Sequence, residues 1–167
     1  MSLKQQLYGG HFTIELINGS DNYVDASTIR EVPDNQEVFV GKHDDTSILI
    51  DLLEKVPESD LIKAMEYHLE DIMYDLKKSI IKQNDQVLHN DTIRDNIIYH
   101  RLSILTEDEC RDMYFALIRL DEFETDIIIT YNPPSTHNAD ANEHERDLKT
   151  FVSMVKSFTL VDKSIFG

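Results

Sequence analysis

Carboxylates are the most plentiful reactive groups in this sequence, and Asp25, Asp34 and Glu37 lie close enough along the chain to suggest acid–base work. Such chemistry needs a pocket and a perturbed pKa. In a chain with 32 acidic residues, paired carboxylates also arise by chance. No nucleophile motif accompanies them, since GxSxG and HExxH are both missing. A phosphate-cradling GxxxxGK[ST] loop is missing too, because Gly41-Lys42 runs into His43 with no glycine at the required upstream spacing. The residues give no support for an enzyme, and no cofactor is expected.

Seven histidines raise the question of metal. His43-Asp44-Asp45 and His68-Leu69-Glu70-Asp71 contain ligand types, but helical spacing turns His68 toward a core and Glu70 and Asp71 elsewhere. His68 therefore reads as a hydrogen-bonded structural residue. His137 and His144 lie in or beside a polar loop and read as solvent-exposed. No metal site is expected. The single Cys110 cannot form an internal disulfide and reads as an inert, partly buried thiol of a reducing compartment.

The formal net charge of −16 repels nucleic-acid phosphates and anionic lipid heads and favours encounter with basic protein surfaces. Apolar runs such as residues 48–53 are too short to span a bilayer, and the first residues, MSLKQQLYGG, lack a signal-type apolar region. Neither nucleic acid nor membrane is an expected partner. A monomer is expected, distributed between nucleus and cytoplasm, because no basic import cluster is evident and a 19.4 kDa chain can diffuse through pores.

The elements that would position these residues form one domain over residues 1–167. Alternation predicts a strand over 11–17, and a strand pair over 36–40 and 47–53 joined by the polar loop 41–46. The second of the pair is apolar on both faces and reads as an inner strand. Residues 59–78 predict a helix with Leu61, Met65, His68, Leu69, Ile72 and Leu76 on its buried face. Ser59 is its expected N-cap, and Lys77 and Lys78 complement its last turn.

Residues 83–94 read as a weak strand or a loop. Residues 96–105 and 113–120 read as strands around the charged turn TEDECRD, and 126–131 as a strand pairing back on the second of them. Asn132-Pro133-Pro134 ends it. A second helix is expected from about Asn142, burying Leu148, Phe151, Val152, Val155 and Thr159, with the chain end packing back through Ile165 and Phe166. Short hairpin links and two separate helices imply an α+β fold, a mainly antiparallel twisted sheet flanked by helices.

One segment carries more information than the rest. In DASTIREVPDNQEVFV, residues 25–40, Asp25 can cap a short turn through Ser27 and Thr28. Pro33 holds Val32 out of the helical region and fixes a bend. Asp34 and Asn35 make a turn, and Gln36 and Glu37 lead into a strand. This is either a connector whose polar groups satisfy turn hydrogen bonds or a rigid acidic ridge at a sheet edge.

That segment, with LYGG at 7–10, ILIDLLE at 48–54, Ala64, Tyr67, His68 and Asp71, ALIRL at 116–120, Thr125-Asp126, Asn132-Pro133-Pro134 and the ending SFTLVDKSIFG, resembles the Ran guanine nucleotide release factor (Mog) family. The matches are collinear, while residues 77–114 match poorly. The resemblance implies a fold like that of the photosynthetic PsbP proteins, binding to the GTPase Ran, release of bound GTP or GDP, and a role in nuclear transport. It also implies that Asp34 and Glu37 contact Ran, with Asp25, Arg30, Asn35 and Gln36 beside them. The loop 41–46 is short for the family. The alternatives are a non-catalytic Ran-binding or trafficking adaptor and, on the histidines, a metal-dependent enzyme. Asp34 and Glu37 are both expected to be exposed.

Overall fold

A computed structural model of the chain describes residues 4–77, 86–105, 110–135 and 141–167. Seven strands form one antiparallel sheet in the order β3-β4-β5-β9-β8-β7-β6. They are β3 (Tyr23–Asp25), β4 (Gln36–Gly41), β5 (Ser47–Glu54), β6 (Gln86–Arg94), β7 (Ile97–Leu105), β8 (Cys110–Leu120) and β9 (Thr125–Asn132). A smaller antiparallel sheet, ordered β1-β2-β10, joins Gln5–Leu7 and Phe12–Ile14 to Thr159–Leu160 near the chain's end. Two helices complete the α+β architecture, α1 (Leu61–Lys77) and α2 (Ala141–Ser157).

The large sheet buries both faces. On one, Ile98, Leu102, Phe115, Leu117 and Ile128 pack with Ala64, Met65 and Leu69 of α1. On the other, Phe39, Ile48, Ile50, Tyr114, Ile127, Ile129 and Tyr131 pack with Phe151, Met154 and Val155 of α2 and with the small sheet. Strand β9 lies between the two layers and is buried along nearly its whole length. Fully burying such isoleucines is worth about 1.5–3 kcal/mol each, so β9 is the spine of the fold.

Several expectations shift in detail. The strand expected over 11–17 is only Phe12–Ile14, because its partners β1 and β10 are themselves short; Leu16 and Ile17 are buried after it leaves the ladder. Strand β5 is an inner strand between β4 and β9, but its alternate residues are half-buried, and cover on both faces belongs to β9. The ambiguous stretch is strand β6 from Gln86 onward.

Asp60, not Ser59, caps α1, its Oδ1 accepting from the Ile62 and Lys63 N–H groups (2.8 and 3.3 Å). Thr159 is exposed in β10, beyond α2, and Met154 fills the buried stripe instead. His144 is half-buried, its Nδ1 3.2 Å from Asp112 Oδ2, rather than free in solvent. Residues 78, 83–85 and 106–109, His137, and the side chains of Leu76, Lys77 and Cys110 lie outside the described residues.

Candidate functional site

The acidic segment begins where β3 ends. Asp25 Oδ1 accepts from the Ser27 N–H (2.9 Å) and from the Ser27 hydroxyl (2.7 Å), while the Thr28 hydroxyl donates to Asp25 O (2.7 Å). The 3-10 turn Ala26–Thr28 is thereby closed, and the Ile29 and Arg30 N–H groups both donate back to Ala26 O (3.0 and 2.9 Å). Ala26 is buried and roots the turn in the protein. Pro33 O accepts from the Gln36 N–H (3.0 Å), closing the second turn around Asp34 and Asn35. Local sequence alone dictates both turns.

Tertiary contacts then fix the ridge to the sheet. Asn35 O accepts from the Leu52 N–H (2.8 Å), and the Gln36 amide donates to Asp51 Oδ1 (2.8 Å). From the other side comes Tyr8. Its N–H donates to Glu37 Oε1 (2.8 Å), and its hydroxyl lies within donating distance of Ile50 O (2.8 Å) and Asn35 O (3.0 Å). To make this approach Tyr8 adopts φ +51, and Gly9 and Gly10 continue the left-handed bend. A tyrosine in that region is strained, and the three contacts hold it there. The LYGG turn therefore clamps the ridge.

The six candidate residues divide accordingly. Asp25 and Glu37 share the α2 face of the sheet, as the pairing of Asp25 with Phe39 requires. Burial pushes the Glu37 carboxyl up; the Tyr8 N–H opposes this, and the Asp25 charge adds to it. Glu37 is thus half-buried, contrary to the expectation that it stands exposed, because it serves as acceptor for the Tyr8 turn. Asn35 and Gln36 are tied to β5. Arg30, Asp34 and Asn35 are exposed, and of these the Arg30 and Asp34 side chains make no hydrogen bond or ion pair among the described residues.

Two residues that the sequence did not single out belong to this site. In the sequence Tyr8 stands out only within the LYGG motif of the family resemblance; burial, with the charges of Glu37 and Asp51, drives the pKa of its hydroxyl far above the ordinary tyrosine range. Asp51 also titrates high, pushed by burial against the Gln36 hydrogen bond and the nearby His68. A lone charge inside the apolar run ILIDLLE was the available signal for it.

Behind the ridge, on the α1 side, lies a buried ionic cluster. Asp126 Oδ1 accepts from Arg119 Nε (2.8 Å), and Oδ2 accepts from Arg119 Nη2 (2.9 Å), lies 2.8 Å from His68 Nε2 and accepts from the Val56 N–H (3.2 Å). Arg119 also donates to Glu58 O. Burial alone would raise the Asp126 carboxyl, but Arg119, His68 and the Val56 N–H hold it down at about 2. His68 is a structural partner here, as its place on the helix predicts. Among the described residues, no three His, Cys, Asp or Glu side chains are grouped to hold a metal ion, and no helix is long and apolar enough to cross a membrane.

Fold and ridge together define a small α+β domain that presents an outward acidic turn on a rigid sheet margin. The chain belongs to the family described as Ran-interacting Mog1 protein, whose sequence model matches residues 5–134. It is 31% identical to the nuclear import protein MOG1 of Saccharomyces cerevisiae, over 97% of this chain and 84% of that one. To the Ran guanine nucleotide release factor of Homo sapiens it is 31% identical, over 96% of this chain and 95% of that protein. The crystal structure of the Saccharomyces cerevisiae Ran-binding protein Mog1p superposes with a TM-score of 0.81 at 28% identity, covering 100% of this chain and 99% of that one.

Proposed function

We propose that this protein binds the small GTPase Ran and promotes release of its bound guanine nucleotide, acting by binding and without covalent chemistry, in support of nuclear transport. The observation that carries the reading is a ridge, tied to the sheet, whose outward groups Asp34 and Arg30 have no partners among the described residues, in a chain of the Ran-interacting family. Asp34 is the foremost contact. Asp25, Asn35, Gln36 and Glu37 hold it in place, and Glu37 does so through Tyr8.

Release follows from linkage. A partner that binds empty Ran better than filled Ran weakens the nucleotide by the same factor by which the nucleotide weakens the partner. Each factor of ten requires about 1.4 kcal/mol of coupling. Carboxylates supply it by pairing with basic groups that otherwise hold phosphate, or by disturbing the magnesium shell. Nuclear and cytoplasmic distribution and action as a monomer belong to the same reading.

The test mixes the protein with Ran carrying a fluorescent nucleotide. Faster loss of fluorescence, absent with Asp34→Lys, is expected. Retained binding with no acceleration would leave an adaptor in place of a release factor.

A further inference from the structure

Ile29 exposes 70% of its surface, more than Val161, Tyr67 or Ile62, the other large exposed hydrophobic side chains among the described residues. A single exposed isoleucine is ordinary on a protein surface. Its mounting is not. The turn beneath it is closed by the Asp25 cap, by the Thr28 hydroxyl and by the two N–H groups that share Ala26 O, and Ala26 is only 2% exposed. The side chain is β-branched and has few rotamers to lose on docking. Beside it in sequence stand Arg30, Glu31 and Asp34, all exposed, and neither the Arg30 nor the Asp34 side chain has a partner among the described residues. A fixed apolar tip flanked along the chain by exposed charged residues matches the general arrangement of an interface centre, where an apolar group fills a pocket and polar groups form the rim.

We propose that Ile29 is the apolar anchor of the Ran interface, entering an apolar depression on Ran whose rim is predominantly basic. The assignment rests on the Ran-binding reading and adds to it a residue that charge alone would not select. In the exposed stretch that follows Ile29, acidic Glu31 and Asp34 outnumber Arg30, which sets the sign expected of the facing rim.

The experiment measures binding of the full chain to nucleotide-free Ran by calorimetry, with Ile29→Ala, Ile29→Asp, Ile29→Leu, Asp34→Asn and Asp34→Lys compared at low and high salt. Ile29→Ala should weaken binding about tenfold, the share of a well-buried isoleucine. Ile29→Asp should weaken it further, and Ile29→Leu should retain it. Unfolding midpoints should stay unchanged, since the side chain packs against little of its own protein. Desolvation of an apolar group is not screened by salt, so the Ile29→Ala factor should persist at about 0.5 M salt while that of Asp34→Asn shrinks.

Ile29→Asp binding as tightly as the unsubstituted chain would overturn the anchor. If Asp34→Lys still abolished binding in that case, the Ran reading would survive without it. An Ile29→Ala loss that vanished with salt would also overturn the proposal. No binding by the unsubstituted chain would overturn both.

Discussion

Asp126 and Asp34 occupy opposite extremes of the same molecule. Asp126 is wholly buried and its two oxygens meet Arg119, His68 and the Val56 N–H, so every strong polar demand around it is met inside the protein. Asp34 is exposed at a turn whose backbone is fixed, while its carboxylate has no hydrogen-bond or ion-pair partner among the described residues. Both fall in motifs that carry the family resemblance. The difference teaches that one set of those residues builds the scaffold and the other is what the scaffold presents. Glu37 stands between them, since it lies in the ridge yet gives its Oε1 to Tyr8.

The largest effect should come from breaking the scaffold side. Asp126→Ala leaves the Arg119 guanidinium buried without its carboxylate, which should destabilise the protein by about 3–5 kcal/mol in urea unfolding. A loss below about 1 kcal/mol would remove the cluster from its structural role.

Acid should produce part of this loss by titration. The Asp126 carboxyl stays ionised in the folded protein down to about 2, whereas unfolded aspartate titrates near 3.9. Unfolding therefore takes up a proton between these values. The contribution is complete above about pH 4 and disappears as pH falls toward 2. His100, buried and shifted down by that burial, adds a loss that begins nearer pH 6.5, because the unfolded state again binds the extra proton. Asp126→Asn should be less stable throughout the neutral range, and its profile of stability against pH should lack only the lower step.

The clamp comes next. Tyr8→Phe removes the hydroxyl from Ile50 O and Asn35 O and should cost about 1 kcal/mol, with weaker Ran binding through a loosened ridge. Glu37→Gln tests the same point without breaking it. Gln retains a carbonyl acceptor for the Tyr8 N–H and removes a charge whose pKa is raised by burial. A raised carboxyl stabilises the fold when protonated, below its unfolded pKa, and that stability is lost as pH rises through the folded value. At neutral pH Glu37→Gln should therefore be as stable as the original chain or slightly more so, and should keep Ran binding. Loss of binding with the fold intact would make the Glu37 charge itself a contact.

The smallest effect on stability, and the sharpest contrast with Asp126, belongs to Asp34→Lys. Its unfolding free energy should move by no more than about 0.5 kcal/mol while Ran binding falls at least tenfold.

Much of this division is legible in the sequence wherever a segment specifies itself. Asp25 caps its own turn, Pro33 sets the next one, and the apolar periods of α1, β8 and β9 announce their elements. Strands β1, β3 and β10 escape notice because two or three residues carry no periodicity. The Tyr8–Glu37 bond spans 29 positions and the His68–Asp126 pair 58, so neither is written in local spacing. Composition could mark Glu37 as acidic. Only the fold decides that it is half-buried.

The most direct test compares the affinity of the purified chain for nucleotide-free Ran with its affinity for Ran loaded with GDP or GTP. Release by linkage predicts binding to the empty form that is tighter by several factors of ten. Equal affinities for empty and filled Ran would contradict the account.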